Sequence, residues 1–144
     1  MRLFPGATDT KALFAARPTS FGGQVAYIGA RKLIDHDWTP IGLYAAQDVS
    51  PPRAVPLPGG ALPRDLLVEG DTLYVLSSTR PHPAKSDVQV FATKDLTTFT
   101  EVLHFSAPTF ARSFARLGGA YFFGMGCNPD RLLAVTGRIL RVKP

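Results

Sequence analysis

Three short apolar runs, each opened by glycine and centred on a tyrosine, recur at one spacing and limit what this chain can fold into. They are Gly23-Gln24-Val25-Ala26-Tyr27-Ile28-Gly29-Ala30, Gly70-Asp71-Thr72-Leu73-Tyr74-Val75-Leu76-Ser77 and Gly118-Gly119-Ala120-Tyr121-Phe122-Phe123-Gly124. Tyr27, Tyr74 and Tyr121 stand 47 residues apart. A period of this size marks a repeat architecture, in which each unit buries its apolar surface against its neighbours. Three such units fill almost all of the 144 residues. They divide a single domain into 1–47, 48–94 and 95–144.

Composition decides between strands and helices. Thirteen glycines and thirteen prolines suit short strands and tight turns better than long helices. An apolar share of 45% beside 19% charge is that of a globular chain. No apolar run approaches the roughly 18 residues that a membrane-spanning helix needs. Met1-Arg2-Leu3-Phe4-Pro5-Gly6 lacks the apolar stretch of a secretory signal. Cys127 is the single cysteine, so no internal disulfide framework is expected. Both observations point to the cytoplasm or a virus particle.

Each unit reads as four strands, d, a, b and c, in chain order. In the first unit, Thr10–Phe21 reads as a d strand, a Pro18-Thr19 turn and the start of strand a; the rival there is a short helix ending before Pro18. Strand b follows at 24–29 and strand c at 41–46. In the second unit d is 53–57, a is 64–69, b is 72–78 and c is 87–92. Phe91 follows Tyr74 by 17 residues, as Tyr44 follows Tyr27, which preserves the b-to-c spacing. The third unit has d at 100–105, a at 111–117, b at 120–125 and c at 137–142. The b strands are nearly continuous apolar runs, the pattern of strands covered on both faces. A radial stack of four-stranded sheets supplies such cover, and the expected fold is all-β, with three β-propeller blades.

Thr93-Lys94-Asp95-Leu96-Thr97-Thr98-Phe99 resembles the turn between strands c and d in sialidase and five-bladed glycosidase propellers. There the pattern is Ser-x-Asp-Leu-x-x-Trp; here Thr93, Asp95, Leu96 and Phe99 hold those places. In those families the turn is structural. The Asp is expected to accept backbone N–H bonds while the aromatic ring packs between blades. Gln47-Asp48-Val49 reads as a decayed copy. Three blades do not close a ring, since known propellers have about four to eight. With each unit opening on its d strand, the first d strand lacks a sheet and the last sheet lacks its outer strand. A second copy would complete six blades by exchanging those strands, as small lectins assemble rings from partial propellers; the alternative is completion by another propeller chain.

Candidate chemistry lies on the face where the d–a and b–c loops open. Arg17, Arg64 and Arg112 precede or open the a strands at spacings of 47 and 48. Gathered at one end, they form a site for carboxylate, sulfate or phosphate; the alternative is local pairing, such as Arg64 with Asp65. The b–c loops add His36 and Trp38, Arg80 and His82, and Arg131, with Trp38 a candidate stacking ring for a sugar. Asp35, His36 and Asp37 are metal-ligating types, but residues adjacent in sequence rarely converge on one ion, and no metal is expected. No nucleophile elbow, phosphate loop or Cys-x-x-Cys pair occurs, and no cofactor is expected. The net charge of +5 is spread without a basic stripe, which argues against nucleic acid. The resulting expectation is a non-enzymatic binding or structural subunit for a glycan or anionic ligand, within an assembly such as a phage virion. The alternative is a glycoside hydrolase of sialidase type, or a remnant of one. Its acids would come from Asp65, Glu69, Asp71 or Glu101, or its nucleophile from a tyrosine, although the periodicity of the tyrosines argues for packing.

Overall fold

A computed structural model of the chain describes residues 4–5, 13–32, 38–78, 85–126 and 137–144. Among the described residues, eleven strands form three antiparallel sheets, each built from consecutive strands. The first holds β1 (Leu13–Phe21), β2 (Gln24–Lys32), β3 (Trp38–Gln47) and β4 (Ser50–Val55). The second holds β5 (Pro63–Glu69), β6 (Thr72–Ser78), β7 (Ser86–Thr93) and β8 (Thr100–Ala107). The third holds β9 (Ala111–Leu117), β10 (Ala120–Met125) and β11 (Ile139–Val142), one strand fewer among the described residues. The sheets stack face to face in chain order, and their first strands lie side by side, β1 against β5 and β5 against β9.

Two apolar layers hold the stack. Ala26, Leu43 and Ala45 of the first sheet meet Leu73 and Val75 of the second. Leu76, Val88 and Val90 on the other face of the second sheet meet Phe114, Tyr121, Phe123 and Met125 of the third. The second sheet is therefore covered on both faces, which is why β6 carries no polar alternation. Phe4 packs on Tyr27 and Tyr44 on the outer face of the first sheet.

Three sequence expectations need correction. Residues of the supposed first d strand belong to β1: Leu13 to Ala16 pair with Arg31 to Ile28, and the ladder resumes at Thr19 opposite Ala26. Pro18 lies in the intervening bulge, where its missing N–H breaks no ladder bond. It is therefore no counterpart of Pro108, which lies between β8 and β9. The repeated 17-residue b-to-c spacing is not a repeated pairing either. Tyr27 faces Tyr44, but Phe91 faces Val75, and Tyr74 faces Ala92. Lastly, the three tyrosines do not occupy equivalent core positions. Tyr27 is on the first sheet's outer face, whereas Tyr74 and Tyr121 flank Arg116 between the second and third sheets.

The turn after β7 forms as its residues dictate. Asp95 Oδ1 accepts the N–H groups of Thr97 (2.8 Å) and Thr98 (2.7 Å). Thr93 Oγ1 accepts Leu96 N–H at 3.0 Å. These bonds hold Leu96 in a left-handed conformation (φ 59°) with its side chain buried, a backbone that only a dense local network imposes on leucine. Phe99 packs on the layer between the first and second sheets. At the corresponding place after β3, Asp48-Val49 is a two-residue turn and Val49 points into solvent.

Candidate functional site

The three arginines share a backbone feature. Arg64 and Arg112 are the extra residues at bulges in β5 and β9, and Arg17 lies in the bulge of β1. A bulge puts two residues opposite one and re-aims a side chain out of the regular alternation. Arg17 takes a left-handed backbone there (φ 54°), with its carbonyl bonded by Thr19 Oγ1.

What the arginines reach differs from an open ring of guanidiniums. Arg17 Nε lies 3.3 Å from Asp65 Oδ1. Arg64 is buried and donates from Nε to the Ser78 carbonyl at 3.2 Å. Arg64 and Arg112 both lie over the Phe110 ring, at 5.5 and 5.6 Å from its centroid. The local partner of Asp65 is thus Arg17 from the neighbouring sheet, and the link between Arg64 and Arg112 is an aromatic face.

Asp65, which is 8% exposed, ties the three sheets together. Its Oδ2 accepts Phe114 N–H of β9 at 3.1 Å and its Oδ1 accepts Leu66 N–H at 3.0 Å, beside Arg17 of β1. Burial pushes its carboxyl above the ordinary range, while the Phe114 N–H, Arg17 and the Leu66 N–H pull the other way. A second tie joins β6 to β9: Ser78 Oγ accepts Ala111 N–H at 3.0 Å and bonds Ser86 Oγ at 3.1 Å. Asp65 follows the β5 bulge and Ser78 ends β6, so the repeat spacing did not single them out.

A cleft of about 500 Å³ opens beside Arg64, between the first and second sheets. Thr39 and Pro40 at the start of β3 line one side, and Ser77 at the end of β6 with Gln89 of β7 the other. The loop Pro58–Leu62 closes it, turned by a single 3-10 turn whose Gly59 and Gly60 have positive φ. Trp38, next to Thr39, packs edge-on against Phe14, with centroids 6.3 Å apart. Sequence reasoning missed this cleft, although the Pro58-Gly59-Gly60 turn was its visible signal. Behind Gln89 stands a polar group on the outer strands. Gln89 Nε2 donates to Glu101 at 2.6 Å, and His104 lies 3.6 Å from Glu101 and 3.9 Å from Asp87.

His36, Arg80, His82 and Arg131 lie outside the described residues, as do Asp35, Asp37 and Cys127. Among the described residues no set of three or more His, Cys, Asp or Glu side chains could hold a metal ion. No protein-family model matches this chain, and no curated protein matches it significantly.

Proposed function

We propose that this chain is a three-blade arc of a β-propeller and acts as a non-enzymatic binding subunit, taking a glycan or another anionic ligand on the face where β5 and β9 begin. The observation that carries this reading is the placement of three bulge arginines on adjacent first strands, Arg64 and Arg112 sharing the Phe110 ring and Arg17 paired with Asp65. Guanidinium groups held by packing bind an anion with little ordering cost. The face-to-face stacking and the neighbouring first strands favour the propeller arrangement.

Completion of the ring by a second copy, giving six blades, or by another propeller chain belongs to the same proposal, as does a place in a larger assembly such as a virion. The third sheet's fourth strand then comes from a segment other than Leu13–Phe21, which is committed to β1. Light scattering tests self-completion: a species of twice the 15.5 kDa chain mass is expected, and a monomer at all concentrations leaves only completion by another chain. A glycan and anion panel tests binding. Loss of affinity in Arg17→Ala and Arg112→Ala is expected, and glycan hydrolysis abolished by an Asp or Glu substitution would overturn the reading in favour of a hydrolase.

A further inference from the structure

We infer that Arg17 is the anion-contacting residue of this face, that its guanidinium takes a single carboxylate between its terminal nitrogens, and that Asp65 is the positioning residue behind it. This rests on the reading that the face binds an anionic ligand, and it names the contacting side chain and the ligand's charged group. Asp65 Oδ1 lies 3.3 Å from Arg17 Nε, and Asp65 is the one side-chain partner of Arg17 among the described residues. The Arg17 side chain is 50% exposed, so the outer end of the guanidinium is open to a ligand.

Arg17 keeps a backbone that is costly for it. Among the described residues positive φ occurs at eight glycines and at two others, Arg17 and Leu96. At Leu96 the hydrogen bonds of the turn and a buried side chain offset the strain. The exposed Arg17 side chain has no such burial, and glycine would take φ 54° without the penalty. Backbone strain kept under an exposed side chain points to a use for that side chain. The bulge aims it, and the Asp65 carboxylate, itself fixed by the N–H groups of Phe114 and Leu66, holds Nε in place. A group ordered in advance binds its ligand at a lower entropic cost.

The same pairing selects the ligand's charged group. With Nε facing Asp65, one planar fork of the guanidinium remains. A carboxylate matches that fork with two coplanar oxygens and a single charge. A phosphate fills the fork as well, but it brings a second charge and further oxygens toward the Asp65 carboxylate, where like charges repel.

The test follows the Arg17 Nε–H signal and the backbone amides of the 15N-labelled chain with acetate, glucuronate, inorganic phosphate and glucose. Saturable shifts of the Arg17 signal are expected with acetate and glucuronate, weaker binding with phosphate, and no shift with glucose, which lacks glucuronate's carboxylate. Arg17→Lys keeps the charge but loses the fork, and is expected to weaken glucuronate about tenfold, the loss of one charge-assisted hydrogen bond. Asp65→Asn, checked for an unchanged fold by its remaining spectrum, keeps an acceptor for the Phe114 N–H. It is expected to move the Arg17 Nε–H signal toward that of a solvated arginine and to lower the affinity ratio of glucuronate to phosphate severalfold. Glucuronate that binds Arg17→Lys as well as the parent, a parent that prefers phosphate, or a ratio unchanged in Asp65→Asn overturns the assignment. If an anion then shifts the Arg64 and Arg112 amides while Arg17 stays still, the binding-face reading survives without this role for Arg17; if no anion moves any of the three, both fall.

Discussion

Replacing Asp65 by alanine tests whether a single carboxylate holds the three sheets in their stack. The substitution strands the buried N–H of Phe114, which costs about 1–3 kcal/mol. Leu66 N–H is partly buried and water replaces some of its bond, so its loss adds only about 0.5–1 kcal/mol. The Arg17 side chain is 50% exposed, and its ion pair is screened to at most about 1 kcal/mol. Against these losses stands the desolvation of the carboxylate, the largest influence on its pKa, which alanine relieves in part. The net expectation is a destabilisation of about 2–3 kcal/mol, or roughly 6–9 °C in Tm for a chain of this length. Thermal and urea unfolding measure it, and hydrogen exchange at Phe114 N–H should accelerate more than at the Thr97 N–H. The pH sign gives an independent check. A folded-state pKa above the ordinary 3.8 means that the parent loses stability as pH rises through the folded value. The penalty of Asp65→Ala is therefore largest below 3.8 and shrinks across that window. A Tm within about 1 °C of the parent, outside the scatter of ordinary surface changes, or a penalty that grows with pH, would refute the clamp.

Three further outcomes follow from packing and charge. A Cβ on Gly126 would lie 2.4 Å from the Phe110 ring that Arg64 and Arg112 share; Gly126→Ala should cost about 1–3 kcal/mol by overpacking and shift the amides of both arginines, whereas unchanged amides would mean that the ring is not held. Asp95 is kept below its ordinary 3.8 by the Thr98 and then the Thr97 N–H groups. Its contribution is thus present above 3.8 and lost as pH falls through the folded value, so Asp95→Asn should flatten the acid limb of a pH–stability curve; an unchanged limb removes this turn as its source. Arg116 stacks between Tyr74 and Tyr121 and pairs with Glu69, but its Nε is buried without a partner among the described residues. Cation–π gains of about 0.5–2 kcal/mol and an orphan donor costing about 1–3 kcal/mol nearly cancel. Arg116→Met should leave the urea midpoint almost unchanged, and a large loss would show that the stack dominates.

The strands with the plainest sequence signals were legible to the residue. β6, β9 and β10 occupy 72–78, 111–117 and 120–125, as glycine turns and apolar runs indicated. The error at β1 has a physical cause. Pro18 reads as a strand breaker, but a bulge tolerates it, and nothing in Leu13–Phe21 distinguishes one bulged strand from two short ones. The arginines were legible as candidates, yet their partners were not. Asp65 finds Phe114 across 49 residues, a contact set by the stacking of sheets and absent from any local pattern. The cleft was illegible for the same reason, since its walls come from β3, β6, β7 and the loop before β5.

The periodicity itself shows how one residue changes a conclusion. Tyrosines step by 47, but the hairpin turns at 22–23, 70–71 and 118–119 step by 48, fixed by the pairs Phe21–Gln24, Glu69–Thr72 and Leu117–Ala120. Side chains alternate across a strand, so each one-residue slip against the turns reverses the face. Tyr27 and Tyr121 therefore lie on the face toward the chain's start and Tyr74 on the opposite one. The column at the structural step is Tyr27, Val75 and Phe123, all buried and all facing the same way. The same slip sorts the arginines. Arg64 and Arg112 are 48 apart, sit at matching bulges and share Phe110. Arg17, 47 before Arg64, falls in a bulge opposite Tyr27 instead, and its guanidinium ends on Asp65.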